Sequence, residues 1–181
     1  MSDLLARLPG VIAAELKPLL PDLRECRAIA GRFNVERLRA ERIAAPSVLV
    51  SLIGLRERDG FAGRVAQFDL SLAAFVVTKD QLGIGRDAAA AAITAHIAAH
   101  VPGRCWGEDA LDEARGIEAQ SIVTAEAEKS AASLWAVTWT QPCVLRGTAE
   151  PEPLDTAIYV SREPKIGADH EADYDRIGGD A

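Results

Sequence analysis

Apolar residues at Leu4, Leu5, Leu8, Val11, Ile12, Leu16, Leu19 and Leu20 recur every three or four positions, the spacing of an amphipathic helix. Asp3 stands where a cap belongs, Pro9-Gly10 predicts a kink or a split, and Pro21 ends the pattern. Residues 26–33 read as a short strand, with Ala28 and Ala30 alternating against Arg27 and Ile29. Asn34 then opens a helical turn or two that runs to about Ile43. From Pro46 the period changes. Residues 47–53 (SVLVSLI) are apolar on both faces, which suits a buried central strand, and they run out in the charged turn Arg56-Glu57-Arg58-Asp59-Gly60. Ala66, Phe68, Leu70, Leu72, Ala74 and Val76 next alternate with Gln67, Asp69 and Ser71, so the two strands predict an antiparallel hairpin.

The clearest helix is the Ala-rich run from Arg86 to Val101, with Ile93, Ile97 and Val101 on one stripe and Pro102-Gly103 as its stop. A strand over Ile117–Val123, a turn at Glu126–Ser130 and a strand over Leu134–Leu145 make a second hairpin. On the last strand Trp135, Val137 and Trp139 share one face, which predicts core packing, with interface use as the rival reading. The order helix, strand, short helix, hairpin, helix, hairpin predicts an α+β fold. Its expected form is an antiparallel sheet of about four to five strands with two main helices on one face, followed by an extended C-terminal arm.

Charge separates that arm from the body. The chain has 181 residues and a net charge of −7, but residues 148–181 hold nine acids and only three bases, while 1–147 hold 18 acids and 17 bases. The expected division is therefore a neutral domain, 1–147, and an acidic arm, 148–181, flexible or docked on a neighbouring subunit. Glu150-Pro151-Glu152-Pro153 favours extended backbone, Ile158-Tyr159-Val160 reads as one short strand or an anchor, and the polar end from Gly167 is expected to be mobile. The charge balance argues against non-specific nucleic-acid binding. No apolar run reaches the roughly 20 residues of a membrane span, and Met1-Ser2-Asp3 does not resemble a signal peptide, so a soluble protein is expected.

Few residues suggest chemistry. His96 and His100 are four apart on the predicted helix and could converge on a metal, but Ile97 stands where a zincin needs Glu, and no third ligand follows at a suitable spacing. A small metal-binding enzyme using this pair is the minor alternative. Gly83-Ile84-Gly85-Arg86-Asp87 precedes a helix but lacks the glycine spacing and Lys-Ser/Thr of a phosphate loop. No serine sits in a nucleophile elbow. Cys26, Cys105 and Cys143 are odd in number and widely spaced, as buried thiols of a reducing compartment would be. No catalytic residue, metal or cofactor is assigned. The more informative feature is the basic cluster Arg24, Arg27, Arg32, Arg37, Arg39 and Arg42, which outnumbers Glu25, Glu36 and Glu41. Its ordinary reading is a solvated face. The sharper one is a surface that receives the acidic arm of a neighbouring copy, anchored by Ile158, Tyr159 and Val160.

Ala45-Pro46-Ser47-Val48-Leu49-Val50, the loop Pro102-Gly103-Arg104-Cys105-Trp106-Gly107, and the stretch from Ala132 to Gln141 (ASLWAVTWTQ) together carry a resemblance. Over about residues 4–147 the chain resembles the small proteins encoded between head and tail genes of Mu-like phages and prophages. That family is similar to the tail-terminator proteins of long-tailed phages. The resemblance implies a ring, commonly a hexamer, that caps the tail tube and joins it to the capsid. It implies the tube protein and head–tail connector or neck proteins as partners, and the virion tail, assembled in the bacterial host cytoplasm, as location. A neck or head-completion protein is the nearest alternative. Neither a membrane nor a specific nucleic acid is expected as partner.

Overall fold

The computed structural model describes residues 4–31, 43–58, 65–80, 84–122, 131–146, 158–160, 169, 172 and 175–177. The N-terminal stripe forms one helix, α1 (Leu4–Leu16), that buries Leu4, Leu8, Ile12, Ala13 and Leu16. Pro9 lies inside it, and the expected split does not occur. At the sixth helical position a proline costs one N–H bond, to the Leu5 carbonyl, and its ring is itself buried. The helix ends earlier than Pro21 predicts. Pro18 has no N–H to continue the ladder, and the chain tightens into a 3₁₀ turn, Lys17–Leu19, closed by Leu20 N–H to Lys17 O at 3.2 Å. The Asp3 cap and the helical turns expected after Asn34 lie outside the described residues.

Five strands follow: β1 (Glu25–Ala28), β2 (Ser47–Glu57), β3 (Val65–Lys79), β4 (Arg115–Ser121) and β5 (Ala132–Arg146), with α2 (Arg86–His100) between β3 and β4. The sheet order is β1-β2-β3-β5-β4. The two hairpins form as the alternation predicts, β2 against β3 and β4 against β5, and β3 pairs with β5 over its full 15 residues. β1 departs from the antiparallel expectation by pairing parallel to β2, Glu25 beside Ser47 through Ala28 beside Val50. The long connection from β1 to β2 permits that direction, which a tight turn forbids. The protein is α+β.

α1 and α2 share one face. Their residues Leu8, Ile12, Leu16 and Ile97 bury Val48, Val50, Leu70, Leu72, Ala74, Val76, Val137 and Trp139 in a single core. Trp139 is 2% exposed and Trp135 packs at the edge of the same core, so core packing is what these tryptophans do. On the second face Ile29 and Ile43 pack on Leu49, Ala73, Phe75 and Ala136. β2 is therefore covered on both sides at its start, as its unbroken apolar run predicts.

Two local devices shape the far end of the sheet. The pairing of β2 with β3 slips between Leu52 and Gly54, so Leu52 faces Leu72 but Leu55 faces Leu70. The extra residue inverts the alternation and turns Arg56 to the second face, opposite Asp69. On β4, Gly116 (φ +61°) lies in a second slip, between Arg115 and Glu118, a left-handed position that glycine occupies without strain. Pro142 interrupts the donors of β5 just beyond the start of β4. There its carbonyl accepts from Asp112 N–H at 2.9 Å, and the loop, in place of a strand, meets β5 at Leu111–Cys143.

Residues 1–147 form one compact unit and 148–181 another. In the second, β6 (Ile158–Val160) pairs antiparallel with β7 (Asp175–Ile177). The polar end expected to be mobile thus supplies a strand that its composition does not announce.

Candidate functional site

Of the six arginines in the basic cluster, the described residues include Arg24 and Arg27; Arg32, Arg37, Arg39 and Arg42 lie outside them. Arg24 is exposed, and its N–H donates to Pro46 O at 2.9 Å, which starts the β1–β2 pairing. Arg27 sits on β1, on the face opposite the helices, and its Nε–H donates to Glu25 Oε1 at 2.5 Å. The cluster is therefore partly neutralised from within, since Glu25 lies on the same strand face two residues away. Ile158, Tyr159 and Val160 make up β6 in the second unit.

The histidine pair does not make a good metal centre. The rings of His96 and His100 stack with centroids 6.2 Å apart and 5° between planes. Arg104 Nη2 donates to His100 Nε2 at 2.8 Å, which occupies the lone pair a metal would need and sets a guanidinium beside it. Among the described residues no group of three His, Cys, Asp or Glu side chains converges. The glycine turn before α2 is likewise occupied. Asp80 Oδ1 accepts the Arg86 N–H at 3.0 Å, so a carboxylate of the chain itself already sits at the positive helix end. Cys143 is buried and Cys26 half-buried, and burial pushes both thiols up to about 11. Cys26 Sγ–H donates to Ala13 O at 3.3 Å, which holds it in a packing role between β1 and α1.

Sequence reasoning missed three features. The first is a buried polar knot around Gln141, which ties β5 to the loop after α2. Gln141 is fully buried; its Nε2 donates to Arg104 O at 3.0 Å and to Asp112 O, and its Oε1 accepts from Trp106 Nε1. The signal in the sequence was a glutamine at the end of the alternating run Trp135–Thr140. The second is a charged group on the second face, where Arg115 and Arg58 approach Asp69 Oδ1 at 3.2 and 3.7 Å from either side. The third is a shallow apolar depression of about 260 Å³ between the segment Leu19–Leu23 and α2, lined also by Ala92, Ile93 and His96.

Among the described residues, no further strand continues the sheet at either margin. β1 and β4 are its end strands. β4 is exposed at six of its seven positions, with only Ile117 half-buried. Among the described residues no strand pairs with its outer edge, so it presents a row of backbone donors and acceptors that another strand can satisfy. The described surfaces offer backbone pairing, charge and apolar contact to a partner. Compared with models of known protein families and with curated protein sequences, the chain matches none.

Proposed function

We propose that this chain is a structural protein of a phage tail, a tail terminator whose copies close into a ring, hexameric as in the proteins it resembles. The observation that carries the reading is the exposed end strand β4. A strand edge of this length with no described partner favours association, and a closed ring covers every such edge without open-ended growth. Termination then works by surface fit. One face of the ring copies the contact surface of the tube subunit and binds the last tube ring. The opposite face does not, so growth stops and the neck of the head can join. Interfaces of about 800 Å² per partner are sufficient at each contact. No bond is made or broken, so the reading assigns no catalytic residue or cofactor. It puts the protein in the virion tail, after assembly in the bacterial host cytoplasm.

In this reading the acidic residues 148–181 reach across to the basic cluster of the next copy. Opposite net charge supports the pairing, and so does the marginal stability of two three-residue strands on their own.

Electron microscopy of the purified full chain is the direct test. Rings with an axial hole are expected, and a strict monomer at every concentration overturns the reading. Deleting 150–181 should reduce the assembled mass, and unchanged assembly removes the arm from the account. Capture by purified tube protein supports a terminator, whereas capture by portal protein alone makes it a neck protein.

A further inference from the structure

We infer that neighbouring copies join edge to edge, with β4 of one copy pairing antiparallel to β1 of the next, so that one continuous sheet runs through the assembly. The inference rests on the ring reading and specifies its contact.

Strand directions come first. β1, β2 and β5 run one way and β3 and β4 the other. Copies related by rotation about an axis along the strands keep those directions, so β4 meets the next copy's β1 antiparallel. This is the more favourable ladder. Because β1 and β4 are different edges, the contact is head to tail, the kind that closes rings. Self-pairing of β4 about a two-fold would instead stop at a dimer.

The side-chain faces then select a register. On β1, Cys26 belongs to the helix-covered core and Ile29 to the second face, so Cys26 and Ala28 point one way and Glu25 and Arg27 the other. On β4, Ala119 pairs with Val137 of the helix face, so Ile117 and Ala119 share that face while Glu118 and Gln120 lie on the second. Setting Glu118 opposite the next copy's Arg27 also sets Ile117 opposite Ala28, Ala119 opposite Cys26, and Gln120 opposite Glu25. Both faces match and opposite charges meet. Arg27 already bonds Glu25 in its own chain, so Glu118 of the next copy would add a second carboxylate beside an engaged guanidinium. A slip by one residue inverts every side chain. A slip by two toward the other side sets Glu118 against Glu25, carboxylate against carboxylate. The helices agree with this join: α1 lies over β1 and β2, and α2 over β3, β5 and β4, on the same face. Continuing the sheet brings α2 of one copy beside α1 of the next and extends the helix layer as well.

Engineered cysteines test it in the full-length chain. Gln120→Cys with Glu25→Cys should cross-link between copies under mild oxidation, because directly opposed residues have the Cα separation a disulfide needs. Ile117→Cys with Ala28→Cys tests the same register on the other face, should the first pair disturb folding. Each double variant is expected to give a ladder of covalent multimers ending at the ring size, about tenfold above either single variant or the wild-type chain. Ring-sized particles with no ladder from either pair overturn this inference and leave the ring reading intact. A covalent dimer from Gln120→Cys alone shows β4 pairing with itself and overturns it too. A wild-type chain that stays monomeric by light scattering overturns the ring reading, and this inference with it.

Discussion

The indole N–H of Trp106 donates to Oε1 of Gln141 at 2.8 Å, between two buried side chains 35 residues apart. Trp106 also leans on Trp139, with ring centroids 6.3 Å apart, so the loop after α2 is pinned to the core by one polar and one aromatic contact. Gln141 completes the arrangement by donating to two carbonyls of that loop.

Replacing Gln141 by leucine should be among the most damaging single changes in the domain. It leaves the buried Trp106 indole N–H without an acceptor and takes a donor from the Asp112 and Arg104 carbonyls, of which Arg104 O keeps only the Ala114 N–H, at an expected loss of about 3 kcal/mol. Trp106→Phe keeps most of the packing and removes one donor, for a smaller loss of about 1–2 kcal/mol. Urea denaturation of the two variants checks both the sizes and their order.

Asp80→Ala should destabilise α2 by about 1 kcal/mol, because Arg86 N–H loses its acceptor and the helix end loses its counter-charge. Asp80→Asn should recover part of that loss, since the amide oxygen accepts but carries no charge. Thermal melts of the three proteins measure the difference.

Stability should fall as pH rises from about 9 to about 11. Both Cys26 and Cys143 keep their protons in the folded chain above the pH at which the unfolded chain releases them, chiefly because burial disfavours the thiolate. The folded state then binds more protons through that window, so the contribution is complete below pH 9 and is lost as the folded thiols ionise. The size is on the order of 1 kcal/mol for each thiol, because water partly screens both groups. Denaturation midpoints of Cys26→Ala followed across the same window should decline less steeply than those of the wild type.

The ion pair between Arg7 and Glu108 links α1 to the loop after α2, and yet Arg7→Ala should cost less than about 1 kcal/mol. Arg7 is 48% exposed, so water and salt compete for its charge. Adding salt to the wild type should reproduce most of the effect of the substitution.

How much of this was legible in the sequence follows from the range of each interaction. The stripe of α1, the Ala-rich α2 and the alternation on β3 and β5 are visible because helix and strand periods are written in neighbouring residues. Pro9 misleads because its cost depends on how deep in the helix it falls and what covers it. The histidine pair could be found by spacing, but Arg104, which takes the lone pair of His100, could not be assigned to it without the turn that ends α2. The basic cluster is legible as composition, whereas the Glu25–Arg27 pairing that tempers it depends on a strand face.

By itself the sequence determined α1, α2 and the long strands β2 to β5, their order, the α+β class and which side of each long strand is apolar. These are consequences of local periodicity, and each can be satisfied within a dozen residues. Only the tertiary structure decided that β1 lies parallel to β2, that β5 enters between β3 and β4, that a slip at Gly54 turns Arg56 toward Asp69, and that Gln141 is wholly buried yet satisfied. Those choices depend on which distant segments meet. A strand's pattern states which face it buries, and says nothing of which neighbour will accept its hydrogen bonds.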